Sequence, residues 1–131
     1  MKEKELIKAA LAARGNAYSR YSGFKVGAAL LTKDGKIYSG CNVENGVFSA
    51  SVCAERTAFY VAIAAGEREF QAIAIAADET DYCYPCGICR QVMAEFCGED
   101  FLIYAVKNEA DYKVLTLGEL LPKAFHFTVK R

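Results

Sequence analysis

The chain has 131 residues, 53% hydrophobic and 24% charged, and its 16 basic and 16 acidic side chains leave no formal net charge. That size and composition suit one soluble domain with a substantial core, residues 1–131 forming a single unit. Balanced charge argues against nucleic acid as a partner, and no stretch is apolar and long enough to act as a signal peptide or membrane span. The expected setting is the cytoplasm, where thiols stay reduced.

Leu6, Ala9, Ala10, Ala13 and Ala17 recur at helical spacing and predict a helix over 3–19. VGAALLT (26–32) and IYSGCNV (37–43) read as strands, with Asp34-Gly35 as the tight turn of a hairpin. CAERTAFYVAIAA (53–65) reads as a helix closed by Gly66. A buried strand follows over about 70–77, then a helix over about 87–97 that stops before Gly98. FLIYAV (101–106) and YKVLTL (112–117) read as strands, and a short helix over about 117–121 precedes Pro122. Strand–helix–strand units imply parallel pairing, but KNEAD (107–111) is too short for a parallel crossover, so the last pair is expected to be antiparallel. The predicted fold is α/β: a three-layer α/β/α sandwich with a mixed five-stranded sheet.

Six cysteines in a reduced compartment point to packing, metal or catalysis before disulfides. Cys53 opens one predicted helix, Cys86 immediately precedes another, and Cys89 lies in its first turn. Ligand sites in α/β sheets form beyond the carboxyl ends of the strands, so the two helix starts can converge there. Three thiolates suit zinc and leave a fourth position open for water, as in catalytic sites. Arg56 is placed as a donor to the cysteine sulfurs, offsetting the charge of three thiolates. Glu55 next to a metal-activated water would carry protons. Two readings compete at this level. Cys83 with Cys53, Cys86 and Cys89 would make a closed structural site, and Cys83-Tyr-Pro-Cys86 would make a thiol redox pair.

Four motifs, N-V-E-N (42–45), V-C-A-E-R-T-A (52–58), P-C-G-I-C-R-Q-V (85–92) and E-L-L-P-K-A-F (119–125), resemble short-chain cytidine deaminases in order and interval. The general signature of zinc deaminases has the same C-A-E and P-C-x-x-C elements. The resemblance implies Cys53, Cys86 and Cys89 as ligands of one Zn²⁺ per subunit and Glu55 as the general acid/base. It implies the Ala54 amide as the group holding the pyrimidine carbonyl, and Asn42 with Glu44 on the ribose 3′-hydroxyl. Phe24 and Phe125 match aromatics lining the base pocket, Phe125 reaching it from a neighbouring subunit. The implied assembly is a homotetramer whose active sites are completed by neighbours. The implied substrates are small nucleosides, cytidine and deoxycytidine, with neither nucleic acid nor membrane as a partner. The chain departs from the general signature in having Cys53 where histidine stands, and from the nearer family in having Phe48 in place of a common tyrosine. Relatives that deaminate bases in RNA or DNA share the C-A-E and P-C-x-x-C elements, but they need a basic surface that this composition lacks.

Overall fold

The computed structural model describes residues 2–77 and 80–129. Its elements run α1 (Glu3–Ala13), β1 (Gly27–Thr32), β2 (Ile37–Cys41), α2 (Ala54–Ala64), β3 (Phe70–Ala76), α3 (Gly87–Phe96), β4 (Leu102–Asn108), β5 (Asp111–Thr116) and α4 (Leu117–Leu120). One sheet holds all five strands in the order β2-β1-β3-β4-β5. β3 and β4 are parallel and every other neighbouring pair is antiparallel.

The alternation of side chains along the strands builds the two cores. Ala28 and Leu30 of β1 face the same side as Ile73, Ile75 and Ile103, and pack with Ala58, Phe59 and Ala62 of α2 and Met93 of α3. Ala29 and Leu31 face the other side with Ala72, Ala74, Ala76 and Val106, and are covered by Leu6, Ile7 and Ala10 of α1. Because both faces are covered, the inner strands β1, β3 and β4 are predominantly apolar. The hairpin between β1 and β2 closes with Gly35 N–H donating to Thr32 O at 3.1 Å and Gly35 at φ +91°, which asparagine or glycine adopts readily and other residues do not.

The predicted helix over 3–19 is too long. α1 stops at Ala13, and a single 3₁₀ turn, Arg14–Asn16, follows. Gly15 and Asn16 are poor helix formers. Beyond them the chain extends, and Tyr18 exchanges two backbone bonds with the 42–44 segment, to Asn42 O at 3.0 Å and from Glu44 N at 2.8 Å. The second strand also ends early, at Cys41 rather than 43, because Val26 N–H donates to the Asn42 side chain and Asn42 O accepts from Tyr18 N–H instead. The link between β4 and β5 is shorter than KNEAD, since β4 runs to Asn108 and β5 begins at Asp111.

Candidate active site

The starts of α2 and α3 meet at the end of the sheet where β3 finishes. Cys53 is the N-cap residue of α2 and Cys86 that of α3, and neither helix has a side-chain cap. The Sγ atoms of Cys53, Cys86 and Cys89 lie within 4.8 Å of one another, with Cys53 and Cys86 3.9 Å apart. Zinc–sulfur bonds of about 2.3 Å at tetrahedral angles hold sulfurs about 3.8 Å apart, so this set fits one zinc ion. Arg56 Nη2 donates to Cys53 Sγ at 3.4 Å. Its Nε is buried with no hydrogen-bond partner among the described residues, a donor held where negative sulfur is expected.

The electrostatics follow from burial and these contacts. The Cys89 thiol donates to Cys53 and, with Arg56 and against the pull of burial, brings Cys53 down to about 5. The same bond, seen from Cys89, pushes that thiol up. Glu55 is 5% exposed. Burial pushes its carboxyl up to about 7, and the Cys53 charge adds to the rise. Its own backbone N–H, the Cys89 thiol and Arg56 oppose that shift.

Cys83 is not part of the sulfur set. Burial pushes its thiol up to about 12. Cys83 and Cys86 are both free thiols, and Cys86 converges with Cys53 and Cys89 instead. The geometry therefore supports neither the closed four-thiolate site nor the Cys83–Cys86 redox pair.

Above the cysteines opens a cavity of about 280 Å³, lined by Phe24, Asn42, Glu44, Ala54 and Glu55, with Cys83 and Tyr84 on one wall. A larger opening of about 390 Å³ lies at the other end of the sheet, between Lys33, Phe70, Cys97 and Phe101, away from the converging helix starts. The 42–44 stretch shapes the first cavity by holding the 21–26 loop. Asn42 Oδ1 accepts from Val26 N at 2.9 Å and its Nδ2 donates to Phe24 O at 2.7 Å. Glu44 Oε1 accepts from Tyr21 N at 2.9 Å and Ser22 N at 3.0 Å, and Oε2 accepts from the Ser22 hydroxyl.

Of the residues singled out from sequence, only Phe125 lies outside this constellation. It is 70% exposed, and its backbone oxygen accepts from Gln91 Nε2 at 2.8 Å. Two contributors escaped the sequence reading. Ser22 reaches Glu44 across 22 positions. Arg90 donates from Nε to Pro85 O and from Nη1 to Leu120 O, each at 2.8 Å, fixing the loop that delivers Cys86. The signal for Arg90 was its place one helical turn after Cys86.

A family model for the cytidine and deoxycytidylate deaminase zinc-binding region matches residues 1–105. A cytidine deaminase of Sporosarcina psychrophila is 48% identical over 125 residues, 95% of this chain and 92% of that protein. One of Halalkalibacterium halodurans is also 48% identical over 125 residues, 95% of each chain. The crystal structure of cytidine deaminase from Burkholderia pseudomallei superposes with a TM-score of 0.90 at 49% identity, covering 95% of this chain and 100% of that one. With the three-cysteine cluster at paired helix starts, these similarities place the chain in the zinc-dependent cytidine and deoxycytidylate deaminase family.

Proposed function

We propose that the chain, acting as one catalytic domain over residues 1–131, hydrolyses cytidine and 2′-deoxycytidine to uridine and 2′-deoxyuridine with release of ammonia, a pyrimidine salvage reaction. The observation that carries this reading is the buried Glu55 carboxyl beside three converging cysteines at the floor of a nucleoside-sized cavity. Zinc held by Cys53, Cys86 and Cys89 supplies, when bound, water acidic enough to serve as nucleophile near neutral pH. Glu55 takes one proton from the attacking water and gives it to the ring nitrogen, then takes the second proton of that water and gives it to the departing amine. A carboxyl held at about 7 both accepts and returns a proton at neutral pH, which an ordinary glutamate does less well. The Ala54 amide, in the first turn of α2, is oriented to hold the pyrimidine carbonyl, and Phe24 packs against the ring.

The hydrogen-bond capacity left at Asn42 and Glu44 supports the choice of substrates. Asn42 has one N–H of its amide free, and Glu44 has roughly one acceptor position left after three donors. One donor and one acceptor satisfy a single hydroxyl. We assign it to the 3′-hydroxyl, common to ribose and deoxyribose.

We further propose a homotetramer in which Phe125 enters a neighbour's cavity. Phe125, Phe127 and Val129 are 70%, 66% and 61% exposed at alternate positions of the tail that follows α4. The chain exposes 7559 Å², whereas a folded monomer of 14.3 kDa exposes about 6,800 Å². The excess is close to the roughly 800 Å² that one partner gives to a standard interface. No described helix is long and apolar enough to cross a membrane. All six thiols are free, consistent with a cytoplasmic protein.

The deciding experiment is ammonia release from cytidine, deoxycytidine, cytosine, CMP and adenosine, with zinc measured on the same sample. Turnover is expected for the two nucleosides, and zinc without turnover would defeat the reading. Glu55→Ala is expected to keep stoichiometric zinc and lose activity by about 10²-fold or more. Sedimentation is expected to show a species larger than a dimer, and a fully active monomer would remove Phe125 from the site.

A further inference from the structure

We propose that Ser22 is a positioning residue for sugar recognition: its hydroxyl aims the last free lone pair of Glu44 and ties it to the backbone of Phe24. The proposal rests on the reading of Glu44 as the sugar-binding carboxylate. A backbone N–H can only donate, and Phe24 N–H points to Ser22 Oγ at 3.0 Å. The Ser22 oxygen is therefore the acceptor there, and its one proton goes to Glu44 Oε2. This fixes the direction of a relay from Phe24 N–H through the Ser22 hydroxyl to the Glu44 carboxylate, in which each bond polarises the next.

Oε1 of Glu44 is occupied by two backbone donors, Tyr21 N–H and Ser22 N–H. The remaining acceptor position is on Oε2, the oxygen that the Ser22 hydroxyl pins. The Phe24 carbonyl is held on its other side by Asn42 Nδ2. Phe24, which lines the cavity, is thus bonded to Asn42 directly through its carbonyl and to Glu44 through the Ser22 hydroxyl. The Glu44 carboxyl is held below its ordinary value, first by the Ser22 side chain, as a hydroxyl donating to it would do. Without the hydroxyl, Glu44 Oε2 can turn, and the hydroxyl-reading geometry loosens while the zinc site, built on α2 and α3, is untouched.

The test compares Ser22→Ala, Ser22→Thr and Glu44→Ala on cytidine and on 2′,3′-dideoxycytidine, which lacks the hydroxyl to be read. Zinc content is measured throughout. Ser22→Ala is expected to lower kcat/KM for cytidine about tenfold, mostly through KM, and to leave the dideoxynucleoside within about twofold. Ser22→Thr, which keeps the hydroxyl at an exposed position, is expected to restore cytidine turnover. Equal losses on both substrates, or no loss on either, overturn the proposal, the first by reducing Ser22 to a loop-building role. If Glu44→Ala discriminates between the substrates and Ser22→Ala does not, the Ser22 proposal falls alone. If Glu44→Ala itself fails to discriminate, the sugar reading falls and the Ser22 proposal with it.

Discussion

Gly40→Ala should strain the active site from behind. Gly40 lies in β2 opposite Ala28, with α2 pressed against it. A Cβ there falls 2.5 Å from Ala58 N, 2.7 Å from Ala54 O and 3.0 Å from Ala58 Cα. All three are backbone atoms of α2, so no side chain can rotate aside. The closest lies about 0.9 Å short of the 3.4 Å at which ordinary contact begins, and the helix must slide by roughly that much. Overpacking of this kind costs about 1–3 kcal/mol, which for a chain of this size lowers Tm by roughly 5–10 °C. α2 carries Cys53 at its start, whereas Cys86 and Cys89 belong to α3. The slide therefore alters the sulfur triangle, and a zinc affinity weaker by about 10–100-fold is expected, as for other disturbances of ligand support. Thermal unfolding and chelator competition measure the two effects. Gly15→Ala is the control. No atom lies within 4 Å of its added Cβ, so it should be neutral or stabilising by up to about 1 kcal/mol. An unchanged Tm and zinc affinity in Gly40→Ala would refute the reasoning. A lower Tm with intact zinc affinity would show that β2, not α2, yields.

Two other outcomes follow from the same geometry. Cys83→Ser should retain zinc and activity, while Cys86→Ala should lose the metal and unfold at a lower temperature, since zinc binding is linked to folding; zinc loss in Cys83→Ser would revive the four-thiolate site. Glu3 accepts from Tyr104 Oη at 2.8 Å and Tyr112 Oη at 2.6 Å, and these bonds, Tyr112 first, hold its carboxyl below 4.5. The folded value lies below the unfolded one, so the contribution is present above pH 4.5 and is lost as pH falls through the lowered value. The Tm deficit of Glu3→Gln should therefore be largest at neutral pH and close in acid, and a deficit that does not vary with pH would exclude the carboxylate as its source.

The architecture was legible because its rules are local or topological. The short link between β4 and β5 dictated antiparallel pairing, and the strand–helix–strand order implied a sheet with helices on both faces. The metal cluster was legible because residue type and helix position converge on one place: a cysteine at each of two helix starts, and a third a turn later, have few ways to be satisfied. The misses share a different cause. Helix propensity carried α1 past Ala13, where the real arbiter is a backbone exchange between Tyr18 and residues 42–44. Asn42 looked like a sugar ligand and is also a clamp on Phe24 and Val26, a role set by a loop 16–18 positions away. Ser22 has no periodicity or spacing to announce it, because its partner is fixed only by tertiary approach. Phe125 does not line the cavity of its own chain, and only the proposed tetramer gives it a place in a neighbour's.

The two phenol bonds to Glu3 join residues separated by 101 and 109 positions. Such bonds can close only after nearly the whole chain has been synthesised and β4 and β5 have paired. α1 leaves the ribosome before β3 and β4, so much of the surface it covers is made later. Its apolar stripe of Leu6, Ile7 and Ala10 must therefore wait in the open, docked at most on the β1–β2 hairpin. This orders assembly from the hairpin outward, with the first helix sealed last. A fusion partner or tag placed directly ahead of α1 would sit at the step that completes the fold, whereas the same addition after the exposed tail would not.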